Sequence, residues 1–340
     1  MPQPDMTITA TVSVVIPCYN AATFLRETID SVLSQTRPAL EVIVVDDGST
    51  DDSAAIAESY GPPVRVIRQE NQGESVARNR GMDEARADWI ALLDADDRWL
   101  PHKLERQLAA LGRTSPDVVC VYSDCVLFGS VRRKAVSCPM WPEVSERRVR
   151  MLTDPCIQPS TAVFVNSVGR KVRFPVGISH GEDLVFWLRL LDHGSFIHVP
   201  EPLVEYRKHP HQQTKQRGHG LRVIASLWNW IKEHPEALTA AETWLLRKLL
   251  AEAVVVRHDQ AFWRKDLALV ERARAWYREL APQSGPLPPL FERESPTWRM
   301  RAAYHGWNAV LDMLPVQLRE CLVRISRGAV DRLKRGRTVR

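Results

Sequence analysis

Three apolar runs of strand length, Val12–Cys18, Glu41–Val45 and Trp89–Leu93, each end in a polar cluster, and helix-period patterns lie between them. Between the first two, Ala22–Gln35 repeats apolar side chains at Phe24, Leu25, Ile29, Val32 and Leu33, the spacing of one helix face. The alternation continues through a short helix at Asp51–Tyr60, a strand at Val64–Arg68, helices at Ser75–Ala87 and Pro101–Leu111, and a strand at Val118–Ser123. Parallel strands are buried on both faces and need a crossover helix between them. The pattern therefore predicts an α/β fold, a doubly wound, mostly parallel sheet flanked by helices. Such sheets bind ligands outside the carboxyl ends of their strands, where Pro17–Asn20, Asp46–Asp47 and Asp94–Asp97 all fall.

The third cluster is the most charged, because Trp89-Ile-Ala-Leu-Leu-Asp94-Ala-Asp96-Asp97 runs a strand straight into three carboxylates. In extended backbone Asp94 and Asp96 point to the same side, so one divalent cation can sit between them and a substrate phosphate. A plainer reading has Asp97 or a neighbour capping the helix that starts near Pro101, with the others solvated.

Other side chains near these strand ends carry chemistry of their own. Tyr19 can stack on a flat base, and Asp47 can accept a hydrogen bond from a pyrimidine ring N–H, which together suggest a uridine-type pocket. Asp46-Asp47-Gly-Ser-Thr-Asp51 also reads as a tight turn that caps the next helix, with Asp51 structural. Arg78 follows the turn-prone Asn71-Gln-Gly73. It could hold a diphosphate oxygen bidentately, or pair with Glu74, Glu84 or a strand-end Asp. His180-Gly-Glu182-Asp183 sets two carboxylates at the N-terminus of an amphipathic helix, Glu182–His193, where they suit the macrodipole. In Tyr206-Arg207-Lys208-His209, the histidine could complete a metal shell, touch a diphosphate or simply pack.

Residues 130–176 are Pro-rich and irregular apart from a strand at Thr161–Val165, and read as a lid or acceptor-side segment. Short strands follow at Phe196–Val199 and Val204–Tyr206, and beyond Gly218 the pattern is helical, broken by the linker-like Pro282–Pro289. The charge is uneven: residues 218–340 hold 21 Lys+Arg against 13 Asp+Glu, while residues 1–217 come to −3. Leu318, Leu322, Ile325, Ala329 and Leu333 recur at helical spacing opposite Arg319, Arg327, Lys334 and Arg335, as in a helix lying on an anionic membrane surface or in a solvated bundle.

No apolar run of about 18 residues is present to span a bilayer. No basic stretch followed by an apolar segment opens the chain, and Cys18, Cys120, Cys125, Cys138, Cys156 and Cys321 form no CxxC pair. A reduced, cytoplasmic setting is the expectation, with no nucleic-acid partner. The first strand ends in Pro17-Cys-Tyr-Asn20 and not in GxGxxG, which disfavours a dehydrogenase, and there is no Walker A segment. An Asp-nucleophile phosphatase would leave Asp46-Asp47 and Tyr19 unexplained.

In order, Val12-Ser-Val-Val-Ile-Pro-Cys-Tyr-Asn20, Val42-Ile-Val-Val-Asp46-Asp47-Gly-Ser-Thr-Asp51, Asn71-Gln-Gly73 with Ala77-Arg78-Asn79-Arg-Gly81, Leu93-Asp94-Ala-Asp96-Asp97 and Gly181-Glu182-Asp183 resemble the family-2 glycosyltransferases of the GT-A fold. The resemblance runs from about Val12 to Thr214. It implies a GT-A domain over 1–217, with a nucleotide-sugar half at about 11–125 and an acceptor half at 126–217. Residues 218–340 would form a basic, Trp-rich helical appendage. Pro17, Tyr19 and Asp47 would face the base and ribose of a UDP-type donor. Asp94-Ala95-Asp96 would be the DxD motif, with Asp96 binding Mn²⁺ or Mg²⁺ and Asp94 working through ribose or water. Asp183 would be the general base for in-line attack with inversion, with Glu182 orienting or capping, and Tyr206–His209 resembles the Tyr-Arg-x-His stretch that closes the domain. The implied activity is metal-dependent transfer from a nucleotide sugar to a saccharide or lipid-linked saccharide, in cell-envelope or exported polysaccharide synthesis. It would take place in the cytoplasm or at the inner face of the membrane. The alternative is an inactive nucleotide-sugar-binding assembly partner. Val168-Gly-Arg-Lys-Val-Arg-Phe-Pro is more basic than the family's glycine-rich segment, as an anionic acceptor or a solvated loop would explain.

Overall fold

A computed structural model of the protein describes residues 10–280, apart from 112–116, 139–143, 154–156, 179, 211, 213, 215–217 and 265. Pro282–Pro289 and the amphipathic stretch from Leu318 lie outside the described residues. The chain divides into two compact units, Met1–Leu250 and Ala251–Arg340.

Every residue of β1 (Val12–Cys18) is buried. Strands β2 (Glu41–Asp47) and β3 (Val64–Gln69) add in parallel on one side of it, and β4 (Trp89–Leu92) pairs in parallel on the other. The strand order thus reverses between β1 and β4, which opens a crevice at their carboxyl ends. The period of two along each strand divides the core. Val15, Ile43 and Val45 pack with Met82 and Phe164 on one face, while Val14, Ile16, Val42 and Val44 pack with Leu25 and Ile29 on the other. The first face receives α3 (Glu74–Glu84), and the second receives α1 (Ala22–Leu33) and α4 (Lys103–Leu111). Helix α2 (Ser53–Glu58) links β2 to β3.

Beyond β4 the sheet becomes mixed. It continues through β5 (Arg98–Trp99), β6 (Val118–Gly129), β7 (Lys134–Val136), β8 (Ala162–Val165) and β9 (Ser195–Lys208), in the order β3-β2-β1-β4-β8-β6-β9-β5 with β7 on β6. Strand β8 runs against both β4 and β6, so the mostly parallel expectation holds for the β3-to-β4 half of the sheet. The two short strands expected around Pro200 and Pro202 are one strand, β9. Its register on β6 jumps from Val199–Ser123 to Pro202–Asp124 to Val204–Cys125. The prolines sit where the ladder is interrupted and no N–H is needed.

The segment read as irregular also holds two helices, α5 (Val144–Thr153) and α6 (Asn166–Val172). The basic stretch there has a structural task. Arg170 donates to the carbonyls of Met82 and Asp83 at 2.9 Å each and to that of Ala85, closing the C-terminus of α3, and Arg173 grips Asp83 through both nitrogens at 2.6 and 2.8 Å. Neither an anionic acceptor nor a solvated loop is needed to explain those charges. Cys18, Cys120 and Cys125 are free, but Cys138 is disulfide-bonded, a bond the cysteine spacing did not reveal. No described helix is long and apolar enough to cross a membrane. Helices α7 (Glu182–Leu191), α8 (His219–Glu233), α9 (Ala240–Trp263) and α10 (Leu267–Leu280) complete the described chain.

Candidate active site

Pro17, Tyr19, Asp47, Arg78, Asp94, Asp96, Asp183 and His209 all line one cleft of about 680 Å³ at the carboxyl ends of β1 and β4. Strand periodicity separates the paired aspartates of β2. Asp46 turns away from the cleft, where Ser49 N–H donates to it at 3.2 Å and Arg68 stands 3.5 Å off, whereas Asp47 faces the cleft. Asp47 Oδ1 accepts from Gln69 Nε2 at 2.7 Å and Gln72 N–H at 3.0 Å, and Oδ2 accepts from Gly73 N–H at 2.8 Å. A carboxylate has about four acceptor positions, which leaves one on Oδ2 for a ligand. Tyr19 is 53 % exposed on the rim. Asp51 is structural, its Oδ2 accepting the Ala22 N–H at the start of α1 at 3.0 Å.

The three acids after β4 have separate fates. Asp97 is fully buried and ties distant strands together, accepting from Ser160 Oγ at 2.7 Å and from Arg207 N–H at 2.8 Å. Burial, with the charges of Asp96 and Asp94, pushes its carboxyl well up, and it caps no helix. Asp94 N–H donates to Ser160 Oγ at 3.1 Å, and its Oδ1 accepts from Arg78. Asp96 Oδ2 accepts from His209 Nε2 at 2.9 Å, and Arg207 Nε donates to the Asp96 carbonyl at 2.7 Å. Helix α1 holds the same turn through Thr28, whose hydroxyl reaches the carbonyls of Ala95 and Asp97 at 2.9 and 2.8 Å.

Arg78 is 2 % exposed and takes the ion-pair alternative. It reaches Glu74 one helical turn back, Asp94 at 2.9 Å and Glu182 at 3.2 Å, with its guanidinium 5.1 Å from the centre of the Phe174 ring. Phe174 is fixed in turn by a reciprocal pair of bonds with the Asn79 amide at 2.8 and 2.9 Å. The acid that follows β4 and the start of α7 are therefore joined by one buried cation. Asp183 stands in the first turn of α7, where burial and the charge of Glu182 push it up to about 7 against the pull of Arg78 and of the Leu184 N–H. That is the range a general base needs near neutral pH.

Asp96 and His209 offer one carboxylate and one imidazole to the cleft. No group of three His, Cys, Asp or Glu side chains among the described residues could hold a metal alone, so a divalent cation held by this pair would take its remaining ligands from phosphate and water. Sequence reasoning assigned no ligand-facing role to four further lining residues: Glu74, Gln212, His180 and, beyond position 217, His219. Only Glu74 left a signal, its i,i+4 spacing to Arg78. His180 Nε2 accepts from Arg222 Nε at 3.1 Å, and burial together with the Arg222 charge holds its imidazole below the usual range.

The family model described as glycosyl transferase family 2 matches residues 13–172. The glycosyltransferase TuaG of Bacillus subtilis (strain 168), assigned to teichuronic acid biosynthesis, is 33 % identical over 202 residues, 58 % of this chain and 78 % of TuaG. An uncharacterised glycosyltransferase of Rickettsia typhi, RT0329, is 29 % identical over 223 residues, 64 % of this chain and 70 % of that protein. The crystal structure of S. aureus TarS 1-349 in complex with UDP matches with a TM-score of 0.55 at 18 % identity, covering 80 % of this chain and 81 % of that one, which shows a shared GT-A fold. With the five motifs gathered on one cleft, these likenesses establish that the chain is a glycosyltransferase and belongs to glycosyl transferase family 2.

Proposed function

We propose that this glycosyltransferase moves a sugar from a UDP-linked donor to a hydroxyl of a saccharide or lipid-linked saccharide, by a metal-dependent in-line displacement that inverts the anomeric carbon. The observation that carries the reading is the single cleft lined by Tyr19 and Asp47, by Asp94 and Asp96, and by Asp183. That TarS structures of this fold were solved with UDP and with UDP-GlcNAc supports a uridine donor, and the TuaG likeness supports a cell-envelope polysaccharide as the setting.

Tyr19 offers an exposed ring to the base, and the remaining lone pair of Asp47 Oδ2 suits a uracil N–H. Asp96 and His209 would hold Mn²⁺ or Mg²⁺, which when bound supplies charge neutralisation for the departing nucleoside diphosphate. Asp183 Oδ1 accepts the Leu184 N–H at 2.9 Å, leaving Oδ2 to take the proton of the acceptor hydroxyl as it attacks. A pure binder has no use for such a base.

The donor is found first, by screening nucleotide sugars for protection against thermal unfolding. Asp183→Asn should then keep UDP affinity and lose roughly 10²–10⁴ in the rate of UDP release, the range a general base contributes. Unchanged turnover removes Asp183 from the mechanism. Asp96→Ala should abolish the Mn²⁺-dependent part of UDP affinity measured by calorimetry, and its retention refutes the ligand assignment.

A further inference from the structure

We propose that a second cavity, of about 460 Å³ between residues 175–178 and helices α7 and α8, is an acceptor subsite that takes an acidic sugar unit. The inference rests on the reading above, in which the acceptor is a saccharide. Arg189, in the last turn of α7, lines this cavity, and its guanidinium makes no ion pair or hydrogen bond among the described residues. It lies instead 5.4 Å from the centre of the buried Trp230 ring. His234 stacks on Trp230 as well, with centroids 4.7 Å apart and planes 17° from parallel. Its Nδ1 donates to the Trp230 carbonyl at 2.9 Å, which frees Nε2 for a ligand. The cation is thus held by packing and has no charge partner among the described residues, which suits a carboxylate that arrives with a ligand.

The rest of the wall narrows the ligand class. Ser226, Asn229 and Glu233 supply hydroxyl, amide and carboxylate groups, while Val176, 66 % exposed, and Ile178 form an apolar rim for the C–H face of a ring. A wall that carries one cation, Arg189, and one carboxylate, Glu233, disfavours a multiply charged phosphate. It accepts a polyhydroxyl ligand carrying a single negative group.

Its position fits the acceptor side. Asp183 and Arg189 sit six residues apart on α7, about 9 Å along the helix axis. Ile178 lines the second cavity and His180 the active cleft, so the two linings approach within about 7 Å of chain. Along α8, His219 and Val223 face the cleft, and Ser226 and Asn229 face the second cavity. A saccharide whose terminal hydroxyl meets Asp183 can therefore place a preceding unit against Arg189.

The test is calorimetry on the full chain with tri-galacturonate and, as the neutral probe, maltotriose. Wild type and Asp183→Asn should bind tri-galacturonate equally, maltotriose should bind at least ten-fold more weakly, and Arg189→Gln should lose at least ten-fold in tri-galacturonate affinity, with Arg189→Lys in between. The melting temperature and UDP affinity of Arg189→Gln report its folding. Should it not fold, the double change Ser226→Ala, Asn229→Ala carries the test, with the same loss expected. Absent binding in wild type, equal binding of the two trisaccharides, or affinity unmoved by the substitutions overturns the proposal. Tri-galacturonate binding through Arg189 in a protein that turns over no nucleotide sugar would keep the subsite and defeat the transfer reading. Transfer with no such binding does the reverse.

Discussion

Replacing Arg78 by Met removes the one guanidinium that holds Glu74, Asp94 and Glu182 together, while keeping most of the packing volume against Phe174. Breaking a fully buried ion pair by deleting one partner costs about 3–5 kcal/mol. Arg78 is buried, but the carboxylates are 41 %, 21 % and 12 % exposed toward the cleft, so water recovers part of that loss and the lower end, about 3 kcal/mol, applies. At roughly 2–4 °C per kcal/mol for a domain of this size, the melting temperature at pH 8 should fall by about 6–12 °C. The sign of the pH dependence follows from linkage. Arg78 holds carboxylate pKa values down, so its contribution is present where those groups are ionised and fades as pH falls through their folded-state values. Burial keeps Asp94 raised even with Arg78 in place, so in the variant relief by protonation begins at a higher pH than for a free carboxylate. Thermal melts of wild type and Arg78→Met at pH 8 and pH 5 should show a gap that narrows at pH 5, and Arg78→Lys, with charge but no fork, should fall between them. An equal gap at both pH values would show that Arg78 acts through its contact with Phe174 and not through charge.

Two further outcomes test the surroundings of the base and of the sheet. With Asp183 at about 7, transfer should rise with pH on an acid limb near neutrality. Glu182→Gln removes the neighbouring negative charge, so the limb of the rate of UDP release should move to lower pH, and a stationary limb would show that this charge does not set it. Gly81→Ala would place a Cβ 2.3 Å from Val15 Cγ1 and 3.2 Å from Val45 Cγ2 in the buried seam between α3 and the first strands. Overpacking of this kind costs roughly 1–3 kcal/mol, read as a lower urea midpoint, and an unchanged midpoint would mean that α3 can shift freely on the sheet.

The β1-to-β4 half was legible because burial on both faces leaves little choice of residue. Val12–Cys18 matches its strand at both ends, and Glu41–Val45 and Trp89–Leu93 miss theirs by two residues and one. The other half hid behind residues that usually break strands or expose surface. Pro200 and Pro202 suggested a gap in β9, and nothing local shows that a register shift against β6 absorbs them. Helix α5 was lost among its arginines, although Val149, Met151 and Leu152 are buried. Periodicity reads which face a residue occupies, not which element will cover it.

The same limit explains what could be read of the site. The five motifs named the side chains that share the cleft, since each lies at a strand end or helix start whose position the alternation already implies. Their partners were not readable, because Arg78 and Glu182 are separated by 104 residues and Asp97 and Arg207 by 110. Charge balance shows what those partnerships mean. Six carboxylates, those of Asp47, Glu74, Asp94, Asp96, Glu182 and Asp183, line the described cleft, and Arg78 is its one guanidinium, already committed to three of them. A nucleoside diphosphate entering that wall brings further negative charge, and the protein supplies no uncommitted arginine or lysine along the described lining to meet it. A divalent cation arriving with the ligand would offset that charge, which supports the metal dependence proposed above and makes the Mn²⁺ response of UDP binding at Asp96 a sharper readout than turnover alone.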